Sequence, residues 1–122
     1  MVYYIQIKKG VDTMELNFSK HLQNDHPERL AALEEYIGFT NIVMEVVEVH
    51  KKYGRRRVGI TSSGIMVIRS LREDFIITAY LPTMIEVEKV VKQSGKKCVP
   101  PKLLKKVQKN LERHPELMFM VS

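Results

Sequence analysis

The chain has 122 residues with 44% hydrophobic content and a formal charge of +6. That length suits one domain able to bury a core without disulfides or a structural metal. The single cysteine, Cys98, excludes an internal disulfide framework and any multi-thiolate zinc site. The start, MVYYIQIKKG, lacks the long apolar stretch of a signal peptide, and no run approaches the roughly 20 apolar residues of a membrane helix. A cytoplasmic location and no membrane partner are therefore expected.

The charge is unevenly placed. Residues 1–50 carry 4 Lys/Arg against 8 Asp/Glu, net −4, whereas residues 51–122 carry 16 against 6, net +10. A positive half of that size attracts a polyanion and speeds its encounter.

In chain order, Val2 to Lys8 is β-branched and aromatic and predicts a strand ending at Gly10. Met14 to Asn24 predicts a short helix holding His21. Asp25-His26-Pro27-Glu28 has the spacing of a capping box with proline in the first turn. Leu30, Leu33 and Ile37 then recur at helical spacing, so the helix is expected over residues 26–37 with Gly38 as its stop.

Residues 45–51 predict a strand, as do Val58/Ile60, Ile65/Val67 and Phe75/Ile77/Ala79. Ser62-Ser63-Gly64 supplies a hairpin turn. Phe75 to Leu81 is the most apolar strand and is expected at the centre of the sheet. Thr83 with Glu86 makes a second capping box, opening a helix with Val87, Val90 and Val91 inward and Lys89 and Lys92 in water. Ser94 to Pro100 is a basic linker. Pro101 begins the last helix, with Leu104, Val107 and Leu111 as its expected buried stripe and Lys102, Lys105, Lys106, Lys109 and Arg113 on its other side. The fold class is thus α+β: N-terminal helices packed on an antiparallel sheet of about four strands, followed by C-terminal helices, in one domain over residues 1–122.

The chain has no glycine-rich phosphate loop, dinucleotide fingerprint or His-Glu-x-x-His pair. The spacing of His21, His26, His50 and His114 does not support a metal site, and no cofactor is expected. Three polar groups remain. His21 and His26 flank a helix start, where the positive end of the helix dipole disfavours imidazolium and a neutral ring can accept a proton; the plainer alternative is a capped or solvated helix end. Arg55, Arg56 and Arg57 alternate along a strand, so at least one faces away from the others, and Arg69 and Arg72 follow one hairpin on. Guanidinium forks suit a phosphate gaining charge, although charge on a hairpin edge also blocks strand addition. Thr78 and Tyr80 fall on one strand face about 7 Å apart, an open face by the apolar alternation, placed to hold a phosphate or stack on a base; both also favour strands for their own sake.

The early histidine pair, the helix running to Tyr36-Ile37, the basic strand and the run Ile76-Ile77-Thr78-Ala79-Tyr80 together resemble the barnase–EndoU–colicin–RelE-like nuclease superfamily, especially its phage-borne and toxin-type members. The likeness spans roughly residues 17–82, with the basic helical part 83–122 outside it. It implies a metal-independent endoribonuclease, acting on tRNA or other translation-related RNA by 2′-hydroxyl attack to leave a 2′,3′-cyclic phosphate. Carried across, the catalytic positions are His26 or His21, Arg57 within the arginine run, Thr78 and Tyr80; Arg55, Arg56, Arg69, Arg72 and the lysines of the last helix would bind RNA. A toxin of this kind implies an acidic immunity or antitoxin partner. Two other classes stay open: a non-catalytic RNA- or DNA-binding module using Lys102, Lys105, Lys106 and Lys109, and a protein-interaction domain using the apolar run Leu117-Met118-Phe119-Met120-Val121, as a strand of its own sheet, a homodimer contact or a partner's strand.

Overall fold

The computed structural model describes residues 23–24, 26–52, 54–72 and 75–118. The expected strand at Val2 to Lys8, the helix holding His21 and the cap at Asp25 lie outside these residues. The described chain begins with a helix, α1 (Pro27–Ala32), that widens into a π-helical turn, Leu33–Ile37. His26 stands at the N-cap but its side chain makes no cap hydrogen bond; Pro27 occupies the first turn, where a missing N–H costs nothing. Gly38, at φ 81°, ends the element and returns its N–H to the Leu33 carbonyl at 2.7 Å, a backbone conformation that suits glycine.

Four strands follow: β1 (Ile42–His50), β2 (Gly54–Thr61), β3 (Met66–Ser70) and β4 (Ile76–Tyr80). They form an antiparallel meander in the order β1-β2-β3-β4. The most apolar strand, β4, therefore ends the row of strands and is not central. Its apolarity has another source: a parallel bridge from Leu81 to Met118, with Leu81 N–H donating to the Leu117 carbonyl at 2.9 Å, covers its outer end. The start of the apolar C-terminal run thus joins the chain's own sheet.

The helices α2 (Met84–Gln93) and α3 (Pro101–Arg113) come last. The Thr83 cap is complete: Thr83 Oγ1 accepts from Glu86 N–H, and Glu86 Oε1 accepts from Thr83 N–H at 3.0 Å. Val87, Val90 and Val91 are buried. On α3 the fully buried residues are Leu103 and Val107, with Leu104 and Leu111 only half-buried, so the apolar stripe sits one residue earlier than the spacing Leu104–Val107–Leu111 suggested. Spacings of three and four both fit a 3.6-residue turn, and the sheet's position selected the first.

Both sheet faces are covered. Met44, Val58, Ile60, Met66, Ile68 and Tyr80 pack against α2 and α3. Ile65, Val67, Ile76, Ala79 and Leu81 form a second core with Leu33 and Leu117, and Leu30, Ala32 and Ile37 pack against it. This is the α+β architecture expected, in three layers. The Ser62-Ser63-Gly64 turn between β2 and β3 is tied to its surroundings: Ser63 Oγ donates to the Gly38 carbonyl at 2.8 Å, and Asn110 Nδ2 of α3 donates to the Ser63 carbonyl at 2.8 Å. No described helix is long and apolar enough to cross a membrane.

Candidate functional site

Strand alternation separates the arginine run. Arg56 shares a face with Val58 and looks toward α2; Arg57 looks the other way. Arg57 is buried, and its Nε and Nη2 both donate to the Ser70 carbonyl, at 2.9 and 2.6 Å. Its cross-strand neighbour Arg69 is also buried and approaches Glu45 Oε2 at 3.6 Å. Arg57 and Arg69 therefore stand within the fold, where a guanidinium needs fixed partners to offset desolvation. Arg55 and Arg72 are exposed.

On the face toward α2, a cleft of about 480 Å³ opens between the sheet and the helix. It is lined by Glu48 of β1, Arg56 and Val58 of β2, Met66 and Ile68 of β3, Thr78 and Tyr80 of β4, and Glu86, Lys89, Val90 and Gln93 of α2. Thr78 and Tyr80 do share a face, but not an open one: α2 covers it, and Tyr80 is only 7% exposed. The alternation from Phe75 to Leu81 is broken by a bulge, because Ile68 pairs with Thr78 while Arg69 pairs with Ile76. Ile77 consequently packs with the core under α2 and α3, and Ile76 with the opposite one.

Arg56 Nη2 donates to Glu48 Oε1 at 3.4 Å, and the two side chains stay 21% and 37% exposed. Arg56 Nε is buried with no hydrogen-bond partner. Opposite them, the Tyr80 hydroxyl donates to Glu86 Oε2 at 3.0 Å. Burial, reinforced by the neighbouring Glu86 carboxylate, holds the Tyr80 phenol well above its ordinary value, with Arg56 acting in the opposite sense. The phenol keeps its proton throughout the physiological range. Lys89 on α2 brings a second cation to the cleft.

Of the residues singled out in the sequence, the structure thus brings Arg56, Thr78 and Tyr80 together, and adds Glu48, Glu86, Lys89 and Gln93. Glu48 had a readable signal: two residues below His50 on a strand paired with the arginine run, it meets Arg56 directly in the β1–β2 register. Glu86 was legible only as a cap. His26 is not among the lining residues, and the helix it precedes packs on the opposite side of the sheet. His21 lies outside the described residues. Lys102, Lys105, Lys106 and Lys109 are exposed on α3. No family model, curated protein or solved structure matches this chain.

Proposed function

We propose that the chain is a metal-independent endoribonuclease whose site is the cleft under α2. The observation that carries this reading is the Glu48–Arg56 pair facing a protonated Tyr80 across one cleft. Glu48 is exposed enough to reach a ribose 2′-hydroxyl and take its proton. The 2′-oxygen then attacks the adjacent phosphorus, the bond to the 5′-oxygen breaks, and a 2′,3′-cyclic phosphate remains. Arg56, with an unpartnered Nε–H, and Lys89 stabilise the charge on the phosphoryl oxygens. Tyr80 supplies a proton to the departing oxygen: even with its pKa raised, a phenol is far more acidic than an alkoxide's conjugate alcohol. This assignment replaces the imidazole base with a carboxylate and leaves His26 outside the chemistry.

Incubating the full chain with tRNA in excess EDTA tests it. Fragments ending in 2′,3′-cyclic phosphate, lost in Glu48→Gln and Arg56→Gln but retained in His26→Ala, are expected. Loss in His26→Ala with full activity in both cleft variants would overturn the assignment.

The row of exposed cations on α3 favours one second reading, a non-catalytic RNA-binding module. Replacing Lys102, Lys105, Lys106 and Lys109 with glutamine then weakens RNA retention and flattens its salt dependence, while no variant produces cyclic-phosphate ends.

A further inference from the structure

The longest strand of the sheet is its first, and among the described residues none pairs beyond it. Nine residues of open edge present unpaired backbone donors and acceptors, and folded proteins normally blunt such an edge with lysine, proline or a cover. β1 is not blunted in this way. Val43, Val47 and Val49 are 48%, 48% and 71% exposed, half of the large exposed apolar residues among those described. The strand's two carboxylates are turned to internal partners, Glu45 to Arg69 and Glu48 to Arg56. Beside the edge runs an open groove of about 660 Å³, floored by residues 43–47 and walled by Gln93, Ser94 and Lys96 at the end of α2. Around it the exposed charges are positive: Lys51, Arg55 and Lys96.

We propose that β1 and this groove form a docking site for an extended acidic segment of another protein, added as a fifth strand. Backbone hydrogen bonds along β1 would hold it, alternate apolar side chains would cover the valines, and carboxylates would meet Lys51, Arg55 and Lys96. A second copy of β1 fits less well. Antiparallel self-pairing centred on Val47 sets Lys51 of one chain opposite Val43 of the other, beside Lys96, cation against cation. The surface is separate from the cleft under α2 and does not depend on its chemistry.

The test uses the full chain and two capped seven-residue peptides, one alternating valine with glutamate and one alternating valine with lysine. Binding is read by fluorescence anisotropy and by amide chemical-shift mapping. The acidic peptide is expected to bind at least about fivefold more tightly than the basic one, with shifts confined to Ile42–His50 and Gln93–Lys96. N-methylation of alternate amides on the peptide should weaken it by roughly tenfold. Lys96→Glu should narrow the charge preference, and Val47→Lys should weaken both peptides while leaving the melting temperature unchanged. No binding, equal binding of the two peptides, or shifts elsewhere would overturn the proposal. So would sedimentation as a dimer that Val47→Lys converts to a monomer, since the edge would then belong to a second copy.

Discussion

The Tyr80 hydroxyl and the Glu86 carboxylate meet at 3.0 Å, tying the last residue of β4 to the first turn of α2. Glu86 uses its other oxygen on Thr83, accepting from the backbone N–H at 3.0 Å and from Oγ1 at 3.1 Å. One carboxylate thereby caps the helix and fixes the phenol that faces the cleft. The arrangement gives Tyr80 a structural contribution that can be measured apart from any catalytic one.

Tyr80→Phe should lower stability by about 1 kcal/mol through the lost hydrogen bond. It should also change the alkaline limb. The phenol's pKa is raised on folding, so its contribution is fully present below the unfolded value of about 10 and falls as pH rises above it. Urea midpoints for the native chain should therefore decline above pH 10, and the decline should be shallower in Tyr80→Phe. Parallel curves for the two proteins would show that Tyr80 ionises equally in both states.

Glu48→Gln and Arg56→Gln separate chemistry from folding. Both side chains are partly exposed, so breaking the pair should cost at most about 1 kcal/mol in thermal unfolding. Removing the base should lower the cleavage rate by roughly 10²-fold or more. A rate that follows stability alone would reject Glu48 as the base.

Arg69 and Glu45 give the opposite result. Their side chains are only 3% and 1% exposed, and Arg69→Met leaves a buried carboxylate without its cation, at a cost of about 3–5 kcal/mol. The double variant Arg69→Met with Glu45→Met should recover much of that loss. Chemical denaturation of both proteins checks it; equal losses would show that Arg69 stabilises the sheet mainly through other contacts.

Gly64→Ala is expected to destabilise for two reasons. The residue has φ 91°, costing about 1–2 kcal/mol for a residue with a side chain, and an added Cβ would stand 2.9 Å from Asn110 Nδ2. That atom holds the Ser63 carbonyl. Thermal unfolding of Gly64→Ala beside Asn110→Ala distinguishes backbone strain, present only in the first, from loss of the hydrogen bond.

Much of the fold was legible because it depends on local rules. Proline at a helix start, Thr83 paired with Glu86, glycine at the end of the first helix and Ser62-Ser63-Gly64 between strands all act within a few residues. The candidate site was less legible. Arg55, Arg56 and Arg57 look equivalent in sequence, and only pairing with β1 and β3 sends Arg56 to the cleft and Arg57 to the Ser70 carbonyl. Glu86 looked like a cap alone because nothing local connects it to Tyr80, six residues away across a strand end.

The sequence by itself determined the element order, the antiparallel meander, the helix caps and the concentration of positive charge after residue 50, since each follows from periodicity, turn chemistry or composition. Tertiary structure decided which sheet face each helix covers. It placed α2 over Thr78 and Tyr80 and α1 on the other side with His26, so residues that read as one constellation along the chain are divided by the sheet. Alternation establishes that two residues share a face, but what covers that face depends on long-range packing.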